Sequence, residues 1–405
     1  MAKRLLLNTT AILSVLAFLF CAYSPLTAAS VEEKDGTLVI GEVMKIHSKI
    51  LDEERTLWIH LPDDYTSSTD HYPVLFLLDG SGNFLHVTGL IDFLYKNSLI
   101  PSMIIVAVLN TDRNRDFLPT RMNDFPPVAG ADKFLAFIKD ELTTFVDENY
   151  RTASYRILCG HSYGGLFTIY SFLNYPGLFN ASIAISPSAY WDDRLMFKKA
   201  EALFAGKPDL KNFIYIAASG GDKEEIRTAS KDFAALLEKL NPKGLESHFL
   251  FLENEDHGSG PHRALYNALE TLYSGWRIDT KALETMPLDG IREHYRKLSE
   301  KYGYQIPIPN GTIDFKAFLL YRAKKYDEAI ELIKFNVANH PDFPIGYRNL
   351  GWLYKTTGKL ELALKNYEIA LKLAEKTNHR ILQSVKEMIT QITEEMKAKE
   401  KTKTD

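Results

Sequence analysis

Cysteine is nearly absent from this chain, with only Cys21 and Cys159 among 405 residues. A disulfide-stapled scaffold is therefore excluded, and a protein of this length must rest on a hydrophobic core. Basic surplus is also missing: 48 Lys and Arg face 52 Asp and Glu, for a formal net charge of −4. Nothing in that balance suits a nucleic-acid partner. Long apolar runs are missing too. The strongest, Ala11 to Ala22, is short for a membrane-spanning helix.

That run follows Lys3 and Arg4 and leads through Pro25 to the small residues Thr27, Ala28 and Ala29. The pattern predicts a secretory signal peptide over 1–29 and a secreted or periplasmic bacterial protein with no stable membrane span after cleavage. Bulky Phe20 before Cys21 argues against lipoprotein processing. Loss of the segment would leave Cys159 as the single thiol, in an apolar run that predicts a small buried residue.

Two rhythms follow. Over 30–280, short β-type runs alternate with amphipathic stretches. The runs include "RTLWIHL", "YPVLFLLD", "SMIIVAVLN", "YRILCG", "ASIAIS", "NFIYIAAS" and "SHFLFLE"; the helical stretches include "ADKFLAFIKDELTTFVDENY" and "SKDFAALLEKLNP". The later runs are continuously apolar, as in strands buried on both faces. The expected fold is an α/β-hydrolase sandwich with a mostly parallel central sheet and an antiparallel start. The segment from Thr111 to Gly130 is polar, proline-rich and long for a loop, which marks it as functional or disordered.

Beyond a linker over 281–310 the pattern becomes wholly helical. Ala329 and Ala363 stand 34 residues apart, the tetratricopeptide period. Tyr347, Leu350, Gly351, Tyr354, Gly358, Ala363, Tyr367 and Ala370 fit that repeat in its second copy. We expect a small all-α repeat region over 311–397 and a frayed tail over 398–405. Two repeats and a last helix are marginal alone, so this region is expected to dock on the first domain or on a protein partner.

The chemistry is carried by Gly160-His161-Ser162-Tyr163-Gly164, a G-x-S-x-G motif between an apolar strand and an apolar helix. A sharp strand–turn–helix elbow presents the serine hydroxyl at the sheet edge. Serine needs a base, and the base should follow a late strand. "FLFLENEDHGSGPHRAL" offers His257 in a turn and His262 entering a helix, and His257 is the better placed. A metal site at Asp256, His257 and His262 lacks further ligands, so neither metal nor cofactor is expected. The acid should follow "NFIYIAAS", where "GGDKEE" offers Asp222, Glu224 and Glu225. We take Glu224 first and Asp222 as the alternative; the others would cap the next helix. Backbone N–H groups of Tyr163 and of the Gly80–Ser81 turn are the candidates for an oxyanion hole.

With "LLDGSGNF", "NTDRNRDFLPT", "GHSYGG", "SPSAYW" and "DHGS" in this order, the chain resembles the esterase D superfamily of α/β-hydrolases, and within it secreted bacterial esterases of the siderophore-esterase type. "IREHYRKLSEKYGYQIP" resembles the segment linking such a domain to a helical C-terminus. The resemblance implies Ser162 as nucleophile, His257 as base and Asp79–Gly80 at the oxyanion loop. It also implies Arg113 and Asp116 pinning the long loop beside the substrate pocket and Trp191 lining it; Asp79, Arg113, Asp116, His161 and Trp191 are the expected pocket residues. Siderophore esterases of this kind can rely mainly on a Ser–His pair. Arg113, Arg115 and Arg121 are the only arginines in the long loop for a catecholate anion.

Three functions remain open at this level. One is a serine esterase acting on a small-molecule or glycan ester. Another is an acyltransferase on the same scaffold. The third is a scaffold protein working through its repeats.

Overall fold

The computed structural model describes residues 32–34 and 37–404, apart from 64, 67, 126 and 377–380. The expected signal segment lies outside the described residues. Among the described residues the chain forms two compact units, one built from 32–62 and Asp70–Arg277, the other from Asp63–Thr69 and Ile278 onward.

A two-stranded hairpin, β1 (Glu32–Lys34) and β2 (Thr37–Val39), precedes an eight-stranded sheet. The sheet contains β3 (Glu42–Ser48), β4 (Glu53–His60), β5 (Tyr72–Leu77), β6 (Ile104–Val108), β7 (Thr152–His161), β8 (Ala181–Ile185), β9 (Asn212–Ser219) and β10 (Leu245–Leu252). Their spatial order is β10-β9-β8-β7-β5-β6-β4-β3. β3 with β4 and β4 with β6 are antiparallel; every other pairing is parallel. The predicted α/β sheet with an antiparallel start is thus the observed one. The run "TLVIGEVMKI" splits between two sheets at Gly41, where a Cβ would lie 2.5 Å from the Ile59 carbonyl oxygen.

β5, β6 and β8 are buried along their whole length, the reason for their unbroken apolar sequence. β10 departs from that expectation. It is an edge strand with alternating burial, and Phe249 and Phe251 face solvent. Its apolar sequence could not distinguish an edge from an interior position.

The helices that matter for the site follow strand ends: α1 (Gly80–Lys96), α2 (Arg113–Phe117), α5 (Tyr163–Asn174), α6 (Trp191–Ala205), α7 (Glu224–Leu240) and α8 (Gly260–Leu272). The predicted helix over 131–150 comprises α3 (Ala131–Ala136), a π-helical stretch Phe137–Leu142, and α4 (Thr143–Asn149).

The second unit is all helix among its described residues beyond Ile278. It contains α9 (Thr280–Thr285), α10 (Leu288–Tyr302), α11 (Asn310–Arg322), α12 (Tyr326–Asn339), α13 (Pro344–Thr356), α14 (Leu360–Lys376) and α15 (Leu382–Thr404). From α11 on, each helix packs on the next. Gly351 lets α13 meet α14 closely, since a Cβ there would lie 2.7 Å from the Tyr367 ring. α15 continues through the segment expected to be frayed.

Candidate active site

β7 delivers Ser162 to the carboxyl edge of the sheet, and α5 begins at the next residue. Ser162 has φ 59° and ψ −117°, a conformation that costs a non-glycine residue energy and persists only when its surroundings fix it. Two backbone bonds do so: the Ser162 N–H donates to the Ile185 carbonyl (2.9 Å), and the Ser188 N–H donates to the Ser162 carbonyl (3.2 Å). Gly160 is required sterically, because a Cβ there would stand 2.3 Å from the Gly164 carbonyl oxygen. At Gly165 a Cβ would meet the Ile185 carbonyl oxygen at 2.9 Å. The sharp turn expected from the motif is therefore present.

β9 and β10, paired in parallel, bring Asp222 and His257 together. His257 Nδ1 lies 2.5 Å from Asp222 Oδ1. Asp222 is buried, and its other oxygen accepts the Ser186 hydroxyl (2.7 Å) and the Ser219 N–H (2.6 Å). Burial works to raise this carboxyl, but the hydrogen bonds from His257, Ser186 and Ser219 prevail and hold it below its usual range. With the Nδ1 proton directed at Asp222, Nε2 of a neutral imidazole carries the free lone pair. The His257 turn is stiffened by Asp256, whose Oδ1 accepts the N–H groups of Gly258 and Ser259, both at 2.8 Å.

The expectation that Glu224 partners His257 is corrected by this geometry. Glu224 opens α7, accepts the Thr228 hydroxyl (3.0 Å) and pairs with Arg227 in an exposed position. Glu225 lies beside it in the first helical turn, and it too is exposed. His262 stands on α8 with its Nδ1 3.3 Å from His86 Nδ1. Among the described residues no group of three metal-ligating side chains occurs.

On the other side of the elbow, Asp79 adopts the left-handed conformation (φ 54°) and α1 starts at Gly80. A Cβ on Gly80 would touch the Val108 carbonyl oxygen at 3.0 Å, and one on Gly164 would lie 3.3 Å from Asp79 Oδ2, so this turn and the elbow are close neighbours. Gly80, Ser81 and Tyr163 all sit in first helical turns, where N–H groups lack intrahelical partners and carry partial positive charge.

Asp79 is clamped by Arg113, whose Nε and Nη2 donate to its two oxygens at 2.6 and 2.9 Å. Asn110 adds a third donor at 2.6 Å, and Arg113 Nη2 also reaches the His161 carbonyl at 3.2 Å. Arg113 thus ties the long loop to both turns. Asp116 does a different job from a pocket residue. It is buried and accepts from Arg55 and Arg115, each at 2.7 Å, and both arginines also bond Glu53. Arg55 and Glu53 were not anticipated, because the strand pattern of β4 gives no sign that its arginine points inward. Ser186 and Asn110 were also missed as partners, although both lie inside the motifs "SPSAYW" and "NTDRNRDFLPT".

His161 packs its ring against His257 at a centroid separation of 4.4 Å. Burial, with the His257 charge second, pushes its pKa down to about 4. Trp191 is buried, donates its indole N–H to Thr120 (3.0 Å) and meets Tyr163 edge-on at 5.6 Å. Burial raises the Cys159 thiol to about 12, so this cysteine stays protonated and unreactive.

An eight-stranded α/β sheet with a strained serine elbow at its carboxyl edge defines an α/β-hydrolase. Residues 48–241 match the family model described as putative esterase. The chain is 26% identical over 212 residues to the ferri-bacillibactin esterase BesA of Bacillus subtilis, covering 46% of this chain and 73% of that one. It is 29% identical over 161 residues to the siderophore enterobactin esterase of Emericella nidulans, covering 33% and 51%. An IroE-like serine hydrolase from Shewanella oneidensis superposes with a TM-score of 0.65 at 27% identity, over 74% of this chain and 99% of that one. Over these residues the chain is similar to esterases and serine hydrolases, and these likenesses support carboxylic ester hydrolysis on this fold.

Proposed function

We propose that this protein is a secreted serine esterase for small-molecule esters, with Ser162 as nucleophile, His257 as base and Asp222 as the orienting acid. The observation that carries this reading is the 2.5 Å bond between His257 Nδ1 and buried Asp222, at the same sheet edge as the strained Ser162. The N-terminal charge and apolar pattern supports export.

Ser162 Oγ attacks the ester carbonyl while His257 Nε2 takes its proton. Asp222 stabilises the resulting imidazolium. The N–H groups of Tyr163 and of the Gly80–Ser81 turn receive the oxyanion; one such donor is worth about 3–4 kcal/mol in the transition state. The C–O bond breaks, the alcohol leaves with the proton from His257, and an acyl-Ser162 ester remains. Water, deprotonated by His257, attacks that ester; the acid departs and Ser162 regains its proton. Names of relatives such as the siderophore esterases support a small ester substrate. In the second unit, the 34-residue spacing of Ala329 and Ala363 and the close fit of Gly351 to Tyr367 support a repeat module for a protein partner.

The test is labelling with a fluorophosphonate followed by intact mass and peptide mapping. Single labelling at Ser162, lost in Ser162→Ala and strongly slowed in His257→Ala, is expected. Undiminished ester hydrolysis by Ser162→Ala would sink the assignment.

A further inference from the structure

The two edges of the eight-stranded sheet are finished differently. β3, at one edge, carries Glu42 and Lys45, and Lys45 reaches across to Glu54 on β4 at 2.8 Å. Charged side chains on an edge strand discourage a foreign strand from pairing there. β10, at the other edge, runs for 8 residues without proline, lysine or bulge, in continuous register with β9. Among the described residues no strand pairs with its outer side.

The phase of β10 is fixed by its neighbour. The carbonyls of Gly244 and Leu252 accept the N–H groups of Asn212 and Gly220 at 3.1 and 2.9 Å. Alternate residues of a strand turn their backbone groups to opposite sides. Gly244, Glu246, His248, Leu250 and Leu252 therefore bond inward to β9, and Leu245, Ser247, Phe249 and Phe251 turn theirs outward. The Leu245 N–H is taken by the Pro242 carbonyl at 3.2 Å. The outward four also share one face of the sheet, on which Phe249 and Phe251 are 37% and 48% exposed. The edge thus offers a row of N–H and C=O groups beside an apolar stripe.

We infer that β10 is a homodimer interface: a second copy of this chain adds its own β10, antiparallel, across a two-fold axis at His248. Two-fold pairing needs a strand that complements itself, and here charge and shape select the register. With His248 opposite its own copy, Lys243 faces Glu253 at both ends of the pair, Leu245 faces Phe251, and Ser247 faces Phe249. Ser247 and Phe249 then exchange both backbone bonds, and the Phe251 N–H reaches the Leu245 carbonyl, each repeated by symmetry. The apolar stripes of the two copies join into one, where cross-strand pairs stabilise each other.

The other charged groups of the edge fit this register. Glu246 lies opposite Leu250 and keeps its bond to His248 (2.9 Å). Lys243 also pairs with Asp209 at 3.1 Å, but both are exposed and such a pair contributes little. Moving the register by two residues loses the match. One shift sets Lys243 opposite Phe251. The other carries Lys243 to Glu255, which is already bound to Arg263 (2.8 Å), and sets Leu245 opposite Glu253.

The experiment is sedimentation velocity of the full mature chain over a wide range of concentration. Twice the mass of one chain is expected at high concentration, falling toward one on dilution. Phe249→Pro removes an outward N–H without touching a bond to β9, and Phe251→Lys puts a charge into the stripe. Both should stay monomeric at every concentration, with the circular dichroism of wild type. Cysteine cross-linking reads the register, since the native Cys159 is buried. Opposed residues that bond inward lie about 4.5 Å apart between Cα atoms, within reach of a disulfide. His248→Cys should therefore give a disulfide-linked dimer under mild oxidation, and Glu246→Cys and Leu250→Cys should not. The mass of one chain throughout would overturn the proposal and leave the edge to a strand of another protein or to none. So would a dimer that persists in both Phe249→Pro and Phe251→Lys, or one that cross-links through position 246 or 250 instead.

Discussion

Two buried aspartates flank the site, and they are held in opposite ways. Asp116, in the loop after β6, is enclosed by the fixed charges of Arg55 and Arg115. Asp222, after β9, is enclosed by two neutral donors and one titratable ring. Burial pushes the Asp116 carboxyl above its usual range against the pull of its guanidiniums, whereas Asp222 stays below its range. A carboxylate locked between permanent cations can only fasten a loop. One whose principal partner gains and loses a proton can take part in a reaction cycle. Burial alone does not separate an anchor from a reactive group; the chemistry of the partner does.

Isosteric neutralisation should split the pair. Asp222→Asn is expected to lower kcat about 10⁴-fold, because the amide favours the wrong imidazole tautomer. Its thermal stability should change little by comparison. Asp116→Asn leaves Arg55, fully buried, with Glu53 as its remaining carboxylate, and is expected to cost roughly 3 kcal/mol of stability. Urea denaturation and steady-state kinetics on both variants read the contrast. A large stability loss in Asp222→Asn with activity retained would erase it.

The next comparison is between Asp222 and Glu224. Glu224→Gln should leave kcat/KM within about twofold of wild type, since exposed ion pairs such as the one with Arg227 contribute little. A loss of a hundredfold or more would return the acid role to Glu224.

That pair also measures how far the sequence could be read. The strand order was legible: an apolar strand, a G-x-S-x-G turn, and a histidine turn after the last strand put Ser162 and His257 after strands of one sheet. Counting residues favoured Glu224 among three nearby acids, whereas the carboxylate bonded to His257 is that of Asp222. Packing decides it. A Cβ on Gly220 would lie 2.1 Å from the Glu253 carbonyl oxygen, and one on Gly221 would lie 2.9 Å from Asp256 Cβ. The double glycine presses this turn against the loop that carries His257, so the first side chain after it is the one that meets the imidazole. The glycines were in view and carried that signal. The buried Arg55 was less accessible, because its partner Asp116 stands 61 residues away and no local pattern links them. The edge position of β10 was hidden for the same reason, since pairing order is a property of the whole sheet.

The smallest expected effect lies at acid pH. Because Asp222 is held below its ordinary value of 3.8, folding favours its ionised form. Its contribution to stability is present above about pH 4 and is lost as pH falls through the lowered folded-state value. Asp116 is shifted the other way, so its protonation favours the folded state as pH falls from its raised folded-state value toward 3.8, above the interval in which Asp222 acts. Wild type should therefore lose stability between about pH 4 and pH 2, and Asp222→Asn should lose less over the same interval. Asp116→Asn removes the Asp116 contribution, so it should lose more stability than wild type as pH falls from about 6 to about 4, and its decline below about pH 4 should parallel that of wild type. Melting temperatures of the three proteins from pH 6 to pH 2 test the ordering. Parallel curves for wild type and Asp222→Asn would mean that the Asp222 bonds favour its charged form no more than water does, and the division between the two aspartates would then rest on geometry alone.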